Sequence, residues 1–280
     1  NYDWRREMKL KFKPLNIKAG RPIAFISREF AEKEGIFEGS RIEILHNGKK
    51  TILIVDVVEK MLNNGNISFS KEAVSYLKIK SGDSVEVSSA LEPSSARVIL
   101  KKLNNEKLTR QEIFTIIKDI VDNALNDAEI AYFISGVYHC GMSSEETAYL
   151  TEAIAKTGKT IKWNEDVADK HCIGGISGNR TTPIVVSICA AAGIKMPKTS
   201  SRAITSAAGT ADVIETITEV NLSIEKLKEV VKKTNGCLVW GGSLGLAPAD
   251  DKLIRVERLL NVDPQPQLIA SILAKKISVG

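Results

Sequence analysis

Cysteine is scarce and unpaired in this sequence. The four present, Cys140, Cys172, Cys189 and Cys237, lie far apart with no CxxC spacing. That argues against a structural zinc site and a disulfide framework, and it fits a reducing compartment. Long apolar runs are also missing: the longest, Ile184 to Ile194, is interrupted by Ser187 and falls well short of the ~20 residues a membrane helix needs. No basic stripe stands out. The formal charge of +5 is spread along the chain, whereas nucleic-acid binders cluster Lys and Arg on one face. A cytoplasmic protein that engages neither membrane nor nucleic acid is therefore expected. No signal peptide is visible. The chain starts at Asn1 without a methionine and stops at Gly280 in what reads as a helix end, so a fragment cut at both ends is expected.

What is present is enough for two or three domains, since 280 residues with 43% hydrophobic content can bury a sizeable core. Residues 1–92 read as a small β-rich domain. R-I-E-I-L-H-N-G-K-K-T-I-L-I-V alternates apolar and polar residues about Asn47-Gly48, a hairpin signal. An internal repeat runs through the same region. Ser27, Ile36, Gly39, Ile42 and Ile44 recur 43 positions later as Ser70, Ile79, Gly82, Val85 and Val87. Each copy reads as serine cap, short helix, glycine turn and strand, which predicts a pseudo-symmetric barrel similar to double-psi barrels, with a role in assembly or docking. His46, beside the hairpin turn, is expected at the surface.

Pro93 to Ser95 and the polar stretch Leu103 to Leu108 read as linker. Three helices should follow, opened by Thr109 with Glu112, Asn126 with Glu129, and Ser143 with Glu146, all at capping-box spacing. Residues 93–162 are thus expected to form the first segment of an α-helical domain. From Trp163 the pattern turns to strand–loop–helix alternation, so residues 163–262 read as an α/β domain. A strand end is expected over Val167 to His171, a helix from Pro183 and short strands at Lys195 to Ser200 and Cys237 to Trp240. A final helix begins at Pro264, within a last segment, 263–280.

Three stretches carry chemistry. The first is D-K-H-C-I-G-G-I-S-G-N-R-T-T-P, Asp169 to Pro183. Thr182 before Pro183 predicts an N-cap, so the glycines would lie between a strand and a helix N-terminus, a ready anion site. Lys170 adds charge, and Thr181 and Thr182 add hydroxyls; a glycine turn without a ligand is the plainer alternative. The second is Pro197 to Ala211, P-K-T-S-S-R-A-I-T-S-A-A-G-T-A, with Thr210 expected to cap the next helix. It matches neither Walker A nor GxGxxG. Two such loops suggest a substrate carrying phosphate, a free phosphate co-substrate, or both. The third is Val262 to Lys276, which sets Asp263, Gln267, Ser271 and Lys275 four apart on one helical face. Here a plain solvated face with an Asp N-cap competes with catalysis, and a cap would lower the Asp pKa. His139 and Cys140 read as a helix end, and Trp240 with Gly241 and Gly242 as either a pocket wall or core.

Taken together, K-H-C-I-G-G, K-T-S-S-R-A-I-T-S-A-A-G-T-A-D, L-A-P-A-D-D-K-L-I-R-V-E and V-D-P-Q-P-Q-L-I-A-S-I-L-A-K-K resemble the archaeal-type AMP phosphorylases, relatives of the thymidine and pyrimidine-nucleoside phosphorylases. The resemblance covers nearly the whole chain in order. It implies an α-helical domain facing an α/β domain, preceded by the β-rich domain, with the last helix returning to the helical domain and the C-terminal part of the family fold missing. It implies phosphorolysis of AMP, with CMP and UMP as further candidates, to free base and ribose 1,5-bisphosphate. Asp263 would be the proton donor. Gly175, Ser201, Arg202, Ala203, Ile204, Thr205, Ser206, Thr210 and Ser271 would bind nucleotide, and Lys170, Ser200 and Thr210 phosphate. His171 and Lys275 are further site candidates. No cofactor and no metal are expected, and the chain is expected to form a homo-oligomer, at least a dimer. Two departures argue against thymidine: Val256 stands where that branch carries a base-reading arginine, and Cys172 where it carries serine. A pyrimidine-nucleoside phosphorylase, an anthranilate phosphoribosyltransferase-like enzyme and a non-catalytic assembly module remain the alternatives.

Overall fold

A computed structural model of the chain describes residues 7–171, 181–203 and 208–280. Cys172, Gly175, Ile204, Thr205 and Ser206 lie outside the described residues. The chain divides into two compact units, Asn1–Ser94 with Asp122–Asn126, and Ser95–Val121 with Asp127–Gly280.

In the first unit the order is β1 (Met8–Phe12), β2 (Ile23–Ser27), α1 (Arg28–Glu34), β3 (Arg41–His46), β4 (Lys49–Val58), β5 (Asn66–Phe69), α2 (Lys71–Leu77) and β6 (Ser84–Ser89). Among the described residues these six strands close into a barrel in the order β1-β5-β2-β4-β3-β6. The internal repeat is the symmetry of this barrel. A shift of 43 residues carries β2 onto β5, α1 onto α2, β3 onto β6 and β1 into β4. Pairing follows the same shift: parallel Phe12↔Ile67 becomes Val55↔Ala24, and antiparallel Met8↔Val87 becomes Thr51↔Ile44. Alternate residues point inward, as a strand's period of two requires: Leu10 and Phe12, Ile42 and Ile44, Leu53 and Val55, Val85 and Val87 all join one core. The Phe12 and Phe69 rings stack at 5.4 Å in that core. Asn47 and Gly48 both take positive φ, +48° and +75°, the left-handed pair that a two-residue hairpin turn needs.

Two expectations fail in the barrel. Ser27 caps α1 by accepting from Phe30 N at 3.2 Å, but Ser70, though the N-cap residue of α2, makes no side-chain cap hydrogen bond. Its hydroxyl instead accepts from Ile23 N and donates to Arg21 O, tying two distant segments. His46 is buried, with its Nε2 3.5 Å from Asp83 Oδ2; hairpin closure folds its ring under the β6 approach instead of outward.

The second unit opens with α3 (Ser95–Leu103), α4 (Arg110–Val121), α5 (Asp127–Cys140) and α6 (Ser144–Lys156). A helix that the sequence reading did not expect thus lies between the two stretches read as linker. It is anchored by buried Ile99 and by Lys102, whose Nζ donates to Glu146 Oε1 at 3.1 Å. The caps at Thr109 and Ser143 form as their spacing predicts. Then follow α7 (Thr181–Ala191), β7 (Met196–Ser200), α8 (Thr210–Glu215), α9 (Ile224–Thr234), β8 (Gly236–Trp240), α10 (Gly241–Leu244), α11 (Pro248–Leu260) and α12 (Gln265–Val279). β7 and β8 pair in parallel from Met196↔Gly236 to Ser200↔Trp240. Ser200 and Trp240 therefore sit side by side at the carboxyl end of this sheet, the end at which α/β folds bind ligands. Val167 to His171 is not a strand; the segment is joined to the α7–β7 turn by Ala168 N donating to Lys195 O at 2.8 Å. α12 packs along α6, and α11 packs against α4 and α5. Lys252 of α11 donates to Ile120 O and Val121 O at the end of α4. No helix among the described residues is long and apolar enough to cross a membrane.

Candidate functional site

The loop after β7 is built around a carboxylate. Asp212, in the first turn of α8, accepts from Ala203 N at 2.8 Å and Gly209 N at 2.9 Å. It thereby clamps the two described ends of the loop together. Burial works against its charge, but the two amides and the Arg202 guanidinium hold its pKa below the usual range. Gly209 is required sterically: a Cβ there would lie 2.6 Å from Ser201 O and 2.7 Å from Ala203 N. Gly209 is also the N-cap, so Thr210 is the first residue of α8 and not its cap. Arg202 is held by Glu215 through a two-pronged pair of 2.6 and 2.8 Å and by Asp212 at 3.0 Å. Its guanidinium lies over the Trp240 ring at 4.8 Å.

The second loop is described at both ends. Lys170 Nζ donates to Thr182 Oγ1 at 2.9 Å. Because α7 already starts at Thr181, Thr182 lies in its first turn and not at the cap. Asp169 accepts from Lys170 N at 2.7 Å and is ion-paired with Lys276 of α12. The His171 pKa is pushed down to about 3 by crowding around the ring and by the charges on Lys198, Lys276, Lys275 and Lys170. The residue is exposed, so the lysine charges are the firmer cause. Ser200 is buried, and its Oγ has no hydrogen-bond partner among the described residues.

α12 joins the two loops. Lys275 Nζ donates to Ser201 Oγ at 3.1 Å and to Ser271 Oγ at 3.2 Å, one turn back on the same helix. It also lies 2.5 Å from Asp250 Oδ2 of α11, an ion pair whose angles are not those of a hydrogen bond. The neighbouring lysine, Lys276, reaches Asp169 and so the other loop. Asp263 precedes α12, whose N-cap is Pro264, so it neither caps the helix nor has a cap's lowered pKa. Its Oδ1 is buried without a partner among the described residues, and burial together with the nearby Asp250 charge raises its pKa. Glu257, on α11, is pushed up to about 8 by burial and by Asp250 and Asp263. It accepts from Gln267 Nε2 at 2.5 Å. A buried group with so high a pKa is a neutral acid at pH 7.

A cleft opens at the carboxyl end of the sheet. Ser200, Ser201, Arg202, Trp240 and Gly242 line one side, and Asp251, Ile254, Arg255, Arg258 and Lys275 the other. The structure thus brings Ser200, Ser201, Arg202, Ser271 and Lys275 together and ties Lys170 to them through Asp169 and Lys276. Thr210 stands behind the clamp at the start of α8. Sequence reasoning did not single out Asp169, Asp250, Asp251 or Glu257. The last three lie in A-D-D-K-L-I-R-V-E, where Asp250 and Asp251 stand seven and six residues before Glu257 on a helix with buried Leu253 and Val256 between them; that pattern was the available signal. No group of three or more metal-ligating side chains suited to an ion occurs among the described residues.

Comparison with known proteins bears on this geometry. Residues 96–158 match the family description "Glycosyl transferase family, helical bundle domain", and residues 164–263 match "Glycosyl transferase family, a/b domain". The chain is 45% identical over 258 residues to a protein named AMP phosphorylase from Methanocaldococcus jannaschii, covering 92% of this chain and 51% of the relative. It is 45% identical over 274 residues to the AMP phosphorylase of Pyrococcus furiosus, covering 98% and 54%. The chain therefore spans about half the length of the curated relatives it matches. Among solved structures, anthranilate phosphoribosyltransferase from Thermus thermophilus aligns with a TM-score of 0.52 at 17% identity, over 65% of this chain and 55% of that one. That is a likeness of fold.

Proposed function

Since the chain belongs to the glycosyl transferase family whose helical-bundle and α/β domains it carries, we propose that its protein performs phosphorolysis of nucleoside 5′-monophosphates. AMP and phosphate would give adenine and ribose 1,5-bisphosphate. The names of its relatives support that substrate. The observation that carries the chemistry is Asp263, a half-buried carboxyl with a raised pKa and one buried oxygen that has no partner among the described residues.

Phosphate oxygen attacks C1′ as the bond from C1′ to the base breaks, and the bonding electrons leave with the base. Positive charge builds on the sugar ring, and the departing base takes up a proton. Asp263 holds that proton, because its environment disfavours the carboxylate; acid catalysis of this kind contributes about 10²–10⁴-fold. Lys170 and Ser200 orient the phosphate nucleophile, with Thr210 at the N-terminal end of α8. The orphaned Ser200 hydroxyl supports this, since a buried hydroxyl without a partner is costly unless a ligand completes it. Ser201, Arg202, Ala203 and Ser271 bind the nucleotide, as do Gly175 and residues 204–206 on the family resemblance, while Lys275 fixes Ser201 and Ser271 relative to each other. His171 stays neutral and adds no charge to the phosphate. Positioning within such fixed dipoles supplies much of the remaining rate.

The reading extends to a cytoplasmic homo-oligomer that accepts CMP and UMP beside AMP. The test is a nucleotide panel with the full-length protein, with and without phosphate. Adenine should appear from AMP only when phosphate is present. Equal release without phosphate would make the protein a hydrolase, and faster turnover of uridine or thymidine than of AMP would make it a pyrimidine-nucleoside phosphorylase.

A further inference from the structure

The cleft at the end of the sheet has a charge balance that says what it can hold. Four cations line it, and three are already neutralised. Arg202 is paired with Glu215 and Asp212, Arg255 with Asp127 at 2.6 Å, and Lys275 with Asp250. The fourth, Arg258, is exposed at the rim. Among the described residues, an anionic group would find no unpaired cation in the interior of the cleft. With the Ser200 hydroxyl at its edge assigned to phosphate, the polar side chain left for a second ligand is the half-buried Asp251 carboxyl. Around it stand the Trp240 ring, the buried Ile254 side chain and Gly242. Apolar walls with a few fixed hydrogen-bonding groups suit a flat, uncharged ligand.

Resting on the phosphorolysis reading, we propose that Asp251 recognises the base of the nucleotide, binding the amino–imino edge of adenine as a neutral carboxylic acid. A protonated carboxyl offers one O–H donor beside one carbonyl acceptor. Adenine offers the complement, with N1 accepting and the N6 amino group donating. Asp251 is suited to this state. Its pKa is pushed up to about 6 by burial and by Asp250, with Lys275 acting in the opposite direction. The other charges facing it are Arg255 and Arg258 on its own helix and Arg202 across the cleft. Binding adenine at N1 favours the protonated form, so by linkage the affinity is greatest at and below about pH 6 and falls as pH rises.

The experiment titrates adenine into the full-length protein by calorimetry between pH 5.5 and 8.5; free adenine carries no phosphate to confuse the pH dependence. The wild type should weaken by up to about tenfold per pH unit above its inflection. Asp251→Asn keeps one donor and one acceptor without a titrating proton, so it should bind with little pH dependence. Asp251→Ala should bind about 10- to 100-fold more weakly at pH 6, with thermal unfolding confirming that each variant is folded. Wild-type affinity in Asp251→Ala, a pH profile unchanged by Asn, or no adenine binding by the wild type overturns the proposal. Phosphate-dependent release of adenine from AMP, measured on the same wild-type preparation, separates that result from failure of phosphorolysis itself.

Discussion

Two carboxyls near the start of α12, Glu257 buried and Asp263 half-buried, show how one environment leaves two groups in different states of engagement. Both Asp263 and Glu257 are raised by burial and share Asp250 as a negative neighbour. Glu257 is engaged by Gln267, whereas Asp263 keeps a buried oxygen without a partner among the described residues. On the proposed mechanism Asp263 is therefore the group that gives the proton. Asp263→Asn should lower kcat for AMP phosphorolysis by about 10²–10⁴-fold while leaving the AMP dissociation constant within a few-fold. A near-normal rate would remove it as the acid. The sign of the pH effect follows from the raised pKa. The protonated form is the active one, so the wild-type rate falls as pH rises through that pKa, and the Asn variant should lack this alkaline limb. Ser200 poses a separate question, because its buried hydroxyl has no partner among the described residues. Ser200→Ala should raise KM for phosphate about 3- to 10-fold with a smaller effect on AMP. A change confined to AMP would assign the hydroxyl to the nucleotide instead.

At the scale of elements, the helical bundle is tied by one carboxylate. Glu146 accepts from Ser143 N, Leu108 N and Lys102 Nζ at 2.8, 3.0 and 3.1 Å, joining α3, the approach to α4 and the start of α6. Burial opposes its charge, yet the amides and the lysine hold its pKa below the ordinary 4.5. Such a group stabilises the fold above pH 4.5, and that contribution disappears as pH falls through the folded value. Glu146→Gln should cost about 3 kcal/mol in denaturant unfolding at pH 7, because it leaves Lys102 buried without its counter-charge. The variant should also lose less stability than the wild type on acidification to pH 3; parallel acid profiles would contradict this. The cap at Ser143 was legible because its partners sit three residues apart. Helix α3 was not, since a nine-residue amphipathic segment beside Pro93 is stabilised by Glu146, 44 residues away from Lys102. The same limit hid the raised pKa of Asp263. Its spacing suggested a cap, but its pKa is set by burial and by Asp250 on another helix. The loop after β7 was legible in composition alone; its clamp by Asp212 depends on a close backbone approach that only Gly209 permits. Gly209→Ala should accordingly weaken AMP binding by about tenfold or more as well as lower the melting temperature.

For the molecule as a whole, the chain falls into two compact units, and the candidate site lies in the second. The barrel closes on its own core and leaves no open strand edge among the described residues, so it has what an independently stable domain needs. Every described residue in the candidate site, from Lys170 to Lys275, lies in the second unit. The barrel's function is then best sought in assembly. Deleting the barrel up to Ser94 from the full-length protein should change the sedimentation coefficient by more than the lost mass explains. Phosphate-dependent adenine release per remaining chain should stay within a few-fold. The segment Asp122–Asn126, which belongs to the first unit, must stay in place because it links α4 to α5. If the truncated protein keeps its helical content and oligomeric state but releases no adenine, the barrel contributes to turnover directly, and the two units do not divide the labour. If it becomes a smaller assembly that still turns over AMP, the two-fold repeat in the first ninety residues is a device for building the oligomer, and the chemistry belongs to the family domains alone.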